Sequence, residues 1–249
     1  MTAPVFLLDG PDAPPLTGAG RVWLTGPEGR HAVSVRRMRV GESIVLTDGA
    51  GTGASGTVAA VEGKDRLEVA VTDVRSDPVP RPRIIVVQAL PKGDRGELAV
   101  ETMTETGVDV IVPWAASRCI TQWRGERGAK SLAKWRATAR EAGKQSRRLR
   151  FPHVAEPATT RQVAPLLSGA AFAAVLHEEG AAPLATAPLP VDGDVVLVVG
   201  PEGGVSPEEL AAFAEAGAEP YRLGRTVLRT STAGTAATSL LLTRTGRWS

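Results

Sequence analysis

The stretch Val195–Leu210 reads VVLVVGPEGGVSPEEL and combines the signals of a strand, a loop and a helix. Five consecutive apolar residues, Val195–Val199, predict a strand that is buried on both faces of a parallel sheet. The loop Gly200–Gly204 follows, and its glycines allow a ligand to approach the backbone closely. Ser206 and Glu209 have the spacing of a capping box, which predicts the start of a helix. Ligands in open α/β sheets bind at such carboxyl ends of strands.

A second copy of Gly-Pro-Glu-Gly occurs at Gly26–Gly29 and serves as an internal comparison. It follows only the short apolar run Val22–Leu24 and leads into a basic segment, so we interpret it as a turn. The tetrapeptide alone therefore does not indicate a site. At Gly200–Gly204 the sequence lacks both the dinucleotide fingerprint and the phosphate-binding Gly-Lys-Ser/Thr. Two interpretations stay open there, a ligand-binding loop and an ordinary strand-to-helix junction.

Composition limits the class of protein. The chain has 249 residues, 43% hydrophobic and 22% charged, as expected of a globular protein in water. No apolar run approaches the ~20 residues that span a bilayer, and the N-terminal residues lack the basic region of a secretory signal. We therefore expect a cytoplasmic protein with no membrane partner.

The few cysteines and histidines argue against a disulfide or a metal site. The lone Cys119 excludes an internal disulfide and is expected to be a small buried hydrophobe. His31, His153 and His177 are scattered without metal-ligand spacing, so we expect no metal.

Positive charge is concentrated in two segments. Arg118–Arg150 holds 11 Lys and Arg against 2 Asp and Glu, and Arg21–Arg39 holds 5 Arg against 1 Glu. The chain as a whole has a formal net charge of only +2, so the remainder is acidic. Two basic segments on an otherwise acidic chain indicate a polyanionic partner.

Residues 1–76 predict a small β-barrel or sandwich. Short strands with turns between them are expected at Arg21–Leu24, Ser43–Thr47, Gly56–Val61 and Leu67–Asp73, with one short helix in His31–Met38. Four arginines of this region could follow a phosphate backbone or form a solvated face, and both alternatives stay open. They are Arg30, Arg36, Arg37 and Arg39. Residues 77–82, DPVPRP, predict an extended linker.

Residues 83–249 alternate strands and helices, which predicts an α/β domain with a mostly parallel sheet. The expected strands are Ile84–Leu90, Val110–Val112, His153–Ala155, Ala171–Leu176, Val195–Val199 and Tyr221–Leu223. Helices are expected at Glu97–Thr106, closed by Gly107, and near Gln162–Leu167. A final helix, capped by Ser231 or Thr232, ends near Thr243. Its small residues suit either packing within the chain or a dimer contact.

A basic helix lies between the second and third of these strands. Helical spacing gives it an apolar stripe of Leu132, Trp135, Ala139 and Ala142. A separate stripe of cations is expected on the solvent face: Arg136, Arg140, Lys144 and Arg147. Acidic neighbours that would neutralise this stripe are scarce, which favours an anionic partner over a merely solvated surface.

Several motifs together resemble a known family. They are HAVSVRRMRVGE at His31–Glu42, KGDR at Lys92–Arg95, EAGKQS at Glu141–Ser146, GPEGGVS at Gly200–Ser206 and LGRTVLRTSTA at Leu223–Ala233. Their order and spacing resemble the bacterial small-subunit ribosomal RNA methyltransferase E family, which methylates N3 of a uridine in 16S rRNA. The resemblance implies an N-terminal PUA-like β-barrel and a C-terminal SPOUT-type domain with a trefoil knot. It also implies S-adenosylmethionine as cofactor, 16S rRNA of the small subunit as partner, and a homodimer.

The resemblance also assigns site residues. It implies that the cofactor is bound by Leu176, His177, Gly200, Pro201, Glu202, Gly203, Gly204, Leu223, Gly224, Arg225, Val227 and Leu228. Arg229 and Thr230 lie where the target base is expected, and Arg225 and Arg229 are the catalytic candidates because cations stabilise a uracil anion. Many family members have Glu where this chain has Ser231, so the general base stays unassigned. A ribose 2′-O-methyltransferase and a non-catalytic RNA-binding protein stay as alternatives.

Overall fold

The computed structural model describes residues 3–9 and 13–248. They fall into two compact units. One contains the described residues up to Val79 together with Gly143–Phe151. The other contains Pro80–Ala142 and the described residues from Pro152 onward. The sequence-based division did not foresee that Gly143–Phe151 belongs with the N-terminal unit.

The N-terminal unit is built on a five-stranded sheet. Its strands are β1 (Val5–Leu7), β2 (Gly20–Leu24), β3 (Ser43–Thr47), β4 (Thr52–Glu62) and β5 (Arg66–Ser76), in the order β1-β3-β4-β5-β2. β1 and β3 are parallel and the other pairs are antiparallel. The alternating apolar side chains bury one face, with Phe6, Ile44, Leu46 and Leu67 in the core. The four predicted strands are confirmed, and β1 was missed because three residues give little periodicity.

The segment Gly26–Gly29 is helical, so its interpretation as a turn is wrong. Helix α1 (Gly26–Arg30) is followed by a π-helical turn, His31–Val35. The reason is tertiary: Glu28 is buried, and its Oε2 accepts a hydrogen bond from Leu7 N at 3.2 Å. Pro27 at the start of the helix suits its first turn, and Gly29 is buried within the helix.

The second unit is an α/β fold with a parallel sheet, as predicted, and the sheet has seven strands, one more than the six expected from the sequence. Its strands are β6 (Arg83–Ala89), β7 (Val110–Trp114), β8 (His153–Val154), β9 (Phe172–Leu176), β10 (Ala182–Pro183), β11 (Asp194–Val199) and β12 (Glu219–Arg222). They are ordered β10-β12-β9-β11-β6-β7-β8, and all pairs are parallel. The five apolar residues Val195–Val199 lie in the central β11 and are buried, as their uninterrupted pattern predicts.

Five α-helices accompany this sheet in the described chain. They are α2 (Arg95–Thr106), α3 (Gly125–Gln145), α4 (Thr160–Ser168), α5 (Pro207–Glu215) and α6 (Thr230–Arg244), with a 3-10 turn at Leu184–Thr186. The predicted capping box of α5 is present in both directions between Ser206 and Glu209. Gly107 closes α2 with a φ of 114°. The cap of α6 is Arg229, so the assignment of Ser231 or Thr232 is wrong by two or three residues.

Helix α3 confirms the apolar stripe but not the cationic one. Leu132, Trp135, Ala139 and Ala142 are buried. Lys144 is only 4% exposed, which contradicts its placement on a solvent face and as an RNA contact. The helix ends at Gln145, and Arg147 follows with a φ of 59°, so its side chain does not continue a helical stripe. Arg136 Nη2 bonds Glu156 Oε1 at 2.7 Å, an acidic partner outside the helix.

Within the described ranges, no helix is long and apolar enough to cross a membrane. The same residues contain no group of three or more His, Cys, Asp or Glu with the arrangement of a metal site.

Candidate functional site

A cavity of about 1060 Å³ opens at the carboxyl edge of the parallel sheet. The last residues of three neighbouring strands line it, namely Leu176 of β9, Val199 of β11 and Arg222 of β12. Carboxyl ends of parallel strands meet at one edge, which is where ligands bind in open α/β sheets. The loop after β11, the loop after β12 and the start of α6 also line the cavity.

The glycine loop after β11 is closely packed. A Cβ on Gly200 would lie 2.8 Å from Val205 Cγ2, and one on Gly203 would lie 3.2 Å from Arg118 Cβ. Gly204 has a φ of 73°, a conformation that L side chains rarely adopt. These positions need glycine because the turn into α5 is tight. Gly-Pro-Glu-Gly at the other copy forms a short helix instead, so the surroundings rather than the letters determine the conformation.

Two polar contacts hold this loop in place. Arg118 Nη1 donates to Gly203 O at 3.2 Å, and Glu202 Oε1 accepts from Lys92 N at 3.3 Å. Glu209, inside the capping box, also accepts from Ser117 N at 2.7 Å. The loop is therefore tied both to the segment after β6 and to the segment after β7.

The predicted cofactor residues come together at this cavity. It is lined by Leu176, His177, Gly200, Pro201, Glu202, Gly203, Gly204, Leu223, Gly224, Arg225, Val227 and Leu228. Arg229 and Thr230 lie at the same cavity. Sequence reasoning missed Arg95, Arg118, Glu178 and Arg222 as lining residues. The KGDR motif contained Arg95 and was a usable signal, whereas no local pattern singles out Arg118.

The two catalytic candidates are exposed at the cavity. Arg225 and Arg229 line it, and their guanidinium groups form no hydrogen bond or ion pair with other residues that the structure describes. The backbone O of Arg229 accepts from Thr232 N and Ala233 N, both at 2.9 Å, which fixes the start of α6. Thr230 is buried, and its O accepts from Gln88 Nε2 at 3.3 Å. Both cationic side chains are available to an anionic ligand.

His177 lines the cavity, and Cys119 follows the lining residue Arg118 in the chain. His177 Nδ1 accepts a hydrogen bond from Glu179 N at 3.2 Å, which orients the imidazole ring. Burial raises the pKa of the Cys119 thiol, and its Sγ lies 3.9 Å from Trp114 O. Cys119 therefore has the character of a buried hydrophobe, as predicted, and not of a nucleophile.

The predicted RNA-contacting residues divide into three groups. Arg30, Arg36, Arg37 and Arg39 are exposed on the N-terminal unit. Arg136 and Arg147 are exposed, and Arg140 is half-buried. Lys144 is buried and belongs to an internal ion pair with Glu28, so it is not available to RNA on an open surface.

Two parts of the chain match RNA-modifying domains. Residues 78–242 match the RNA methyltransferase domain, and residues 24–72 match the RNA methyltransferase PUA domain. This pair defines the class, an RNA methyltransferase domain preceded by a PUA domain. The chain is 44% identical to ribosomal RNA small subunit methyltransferase E of Mycobacterium tuberculosis (strain CDC 1551 / Oshkosh), over 100% of this chain and 94% of the relative. It belongs to the ribosomal RNA small subunit methyltransferase E family.

More distant relatives and solved structures agree with this assignment. The enzyme of the same name from Bacillus subtilis (strain 168) is 28% identical over 84% of this chain and 85% of its own. The crystal structure of a ribosomal RNA small subunit methyltransferase E from Neisseria gonorrhoeae, bound to S-adenosyl methionine, superimposes with a TM-score of 0.84. That protein is 30% identical, over 98% of both chains. A Legionella pneumophila methyltransferase in complex with SAM gives 0.83 at 27% identity, again over 98% of both chains.

Proposed function

We propose that the protein transfers a methyl group from S-adenosylmethionine to N3 of a specific uridine in 16S rRNA of the small ribosomal subunit. The observation that carries the proposal is the single cavity at the sheet edge. It is lined both by the Gly200–Gly204 loop and by the Leu223–Thr230 loop. The two related proteins whose solved structures contain the cofactor have the same fold over 98% of this chain.

The cavity suits S-adenosylmethionine in size and in chemistry. Its volume of about 1060 Å³ is slightly above the roughly 300–1,000 Å³ typical of small-molecule sites. Leu176, Leu223, Val227 and Leu228 offer apolar contacts to an adenine ring. A Cβ on Gly224 would meet no atom within 4 Å, so the backbone there is open to a ligand. When bound, the cofactor supplies an electrophilic methyl group on a sulfonium.

The protein's own task is to hold the uracil and to favour its anion. Uracil N3 is a poor nucleophile until it loses its proton, and the negative charge then lies on the flanking oxygens. Arg225 and Arg229 are the cations of the Leu223–Thr230 loop, and we assign to them the stabilisation of this charge. The base must leave its stack to reach the cavity, which suits an unpaired rRNA segment.

Two carboxylates line the cavity within the described chain, Glu178 and Glu202. Glu202 Oε1 accepts the Lys92 N–H, which supports a structural role for this side chain. Ser231, at the position where many family members have Glu, is buried and has no hydrogen-bond partner for its Oγ among the described residues. Single substitutions Glu178→Gln and Glu202→Gln, each followed by a pH–rate profile, test which group accepts the N3 proton. Substitution of the carboxylate that accepts the proton should reduce kcat by about 10²-fold or more and remove the acidic limb of the pH–rate profile.

One assay tests the proposal against its alternatives. Unmethylated small subunits and free 16S rRNA are each incubated with methyl-labelled S-adenosylmethionine, and the labelled nucleoside is identified by mass spectrometry. We expect a single methyl group on uracil N3. A methyl group on ribose would establish a 2′-O-methyltransferase instead. No incorporation into either substrate, together with retained RNA binding, would establish a non-catalytic RNA-binding protein.

We also propose a homodimer, a C-terminal trefoil knot, a PUA-like β-barrel in the N-terminal unit and a cytoplasmic location. The exposed side chain of Val227, 77% accessible beside the cavity, supports a covering partner surface. β12 follows β11 in the chain yet pairs with the far side of β9, so the intervening segment crosses β9; the knot itself is proposed from the family resemblance. Light scattering should give a mass about twice the 26.0 kDa of one chain, and a monomer at micromolar concentration would contradict the dimer.

A further inference from the structure

A second, smaller cavity lies within the N-terminal unit. Its volume is about 90 Å³, about three times the ~30 Å³ that a water molecule occupies in the liquid. It is lined by residues around β1, by the π-helical turn with Arg36 that follows it, and by the end of α3 with the segment after it. Its size admits a tetrahedral oxyanion and is too small for a nucleotide.

Three cations from two distant parts of the sequence line this cavity, Arg36, Lys144 and Arg147. Lys144 Nζ lies 2.7 Å from Glu28 Oε1, so this carboxylate compensates one of the three charges. The guanidinium groups of Arg36 and Arg147 form no hydrogen bond or ion pair with the described residues. The cavity is therefore lined by two guanidinium groups without an acidic partner in the described chain, those of Arg36 and Arg147, and by Lys144, which is buried and paired.

The wall that carries Arg147 is held firmly. Arg147 N donates to Lys144 O at 3.1 Å, and Arg148 N donates to Gly143 O at 3.0 Å, which ends the helix. Leu149 O then accepts from Thr47 Oγ1 at 2.9 Å and from Gly51 N at 3.0 Å, so the segment is bonded to the sheet of its own unit. The φ of 59° at Arg147 is costly for a non-glycine residue, and such conformations persist where the surroundings enforce them.

The opposite wall is equally defined. The π-helical turn ends with Arg36 N donating to His31 O at 2.9 Å. The His31 ring lies edge-on to the Phe6 ring, with 5.7 Å between centroids. π-helical turns are rare in proteins, and those that occur are often found at functional sites. Both arginines therefore start from fixed backbone positions, so binding an anion orders only their side chains.

We propose that this cavity binds one phosphate group, and that the source of the phosphate is the RNA backbone. Arg36 and Arg147 would each donate to the phosphate oxygens, since the planar guanidinium matches phosphate geometry. The Lys144–Glu28 pair fixes the buried side of the cavity. The choice of RNA rests on the proposed function, whereas the affinity for a phosphate group does not. A phosphate held here would fix the register of the RNA on the N-terminal unit.

Titration with inorganic phosphate tests the cavity itself. In ¹⁵N–¹H spectra of the full-length protein, we expect the Nε–Hε signals of Arg36 and Arg147 to shift with a common saturation curve. Arg75, an exposed arginine of β5 in the same unit, is the matched control and should not share that curve. Equal, non-saturating shifts of all three arginines would overturn the proposal.

RNA binding tests the source of the phosphate. The RNA is an unstructured oligouridylate of about 12 nucleotides. Its binding constant falls as salt rises, and the double variant Arg36→Gln/Arg147→Gln should make the slope of log K against log salt less steep by about 0.7. This is the value for one phosphate contact on a single strand. Arg75→Gln should leave the slope unchanged. An unchanged slope in the double variant, despite saturable binding of inorganic phosphate, would show that free phosphate is the ligand and would overturn the RNA source.

Two controls separate this inference from the proposed function. S-adenosylmethionine affinity and the thermal midpoint of the double variant should match the wild type, because neither arginine lines the larger cavity. If the wild-type protein methylates small subunits while the Arg36 and Arg147 signals show no saturable response to phosphate, the cavity inference fails and the methyltransferase proposal stands. If the wild type transfers no methyl group, a saturable Arg36 and Arg147 response would still support the cavity.

Discussion

Lys144 Nζ and Glu28 Oε1 form an ion pair 2.7 Å long in which the two side chains are only 3% and 10% exposed. The pair joins the last turn of α3 to α1, both within the N-terminal unit. Glu28 also accepts the Leu7 N–H, so one carboxylate connects three segments of that unit. A buried charge is tolerated when it is paired and hydrogen-bonded, and both conditions hold here.

Removing one partner of this pair should destabilise the N-terminal unit. Lys144→Met leaves the Glu28 carboxylate buried without its cation, and breaking a buried pair in this way costs about 3–5 kcal/mol. Urea unfolding followed by circular dichroism measures the change. Lys130→Met, in the same helix but with a side chain 76% exposed, should stay within about 0.5 kcal/mol of wild type. Equal stability of the two variants would contradict a structural role for the pair.

Gly203→Val should weaken S-adenosylmethionine binding. The first added carbon already lies 3.2 Å from Arg118 Cβ and 3.4 Å from Arg118 O, and the two further methyl groups must displace the loop or fill the cavity. Calorimetry should show at least a tenfold weaker affinity, about 1.4 kcal/mol. Gly20→Val in β2 is the control, since a Cβ there meets nothing within 4 Å. Wild-type affinity in Gly203→Val would remove this loop from the cofactor site.

Local signals accounted for most of the second unit. The uninterrupted apolar run of β11, the capping box of α5 and the left-handed Gly107 each depend on neighbouring residues only. The sequence therefore sufficed to place the loop at a strand end. The convergence of that loop with Leu223–Thr230 follows from the parallel sheet, whose strand ends share one edge. The assignment of a cofactor needed the family resemblance as well.

Contacts between distant residues account for the errors. Lys144 was placed on a cationic stripe by helical spacing, but its burial depends on Glu28, which is 116 residues away. Glu28 lies in the helix at Gly26–Arg30, and it also accepts from Leu7 N, 21 residues away. Segment Gly143–Phe151 was assigned to the wrong unit because nothing in its composition reveals the bonds of Leu149 to Thr47 and Gly51. Arg118 was missed as a lining residue for the same reason.

The Cys119 thiol should react slowly in the folded protein. Burial raises its pKa, and nearby Glu209 and Glu202 add to the shift, so the thiolate is disfavoured across neutral pH. We expect alkylation by iodoacetamide at pH 8 to be at least tenfold slower in native buffer than in urea, where the thiol regains its ordinary pKa near 8.5. Mass spectrometry of timed samples measures both rates. Equal rates would mean that the segment around Cys119 opens readily.

Ser231→Ala tests whether this residue takes part in methyl transfer. Ser231 is 1% exposed, and its Oγ has no hydrogen-bond partner among the described residues. A buried hydroxyl without a partner costs about 1–3 kcal/mol, and alanine is also the better helix former in the first turn of α6. The variant should therefore gain about 1 kcal/mol in free energy of unfolding and keep kcat within about twofold. Arg229→Gln, two residues earlier and exposed at the cavity, should lower kcat by roughly 10²-fold. A comparable loss in Ser231→Ala would mean that the hydroxyl reaches the substrate, and α6 would then have to open during the reaction.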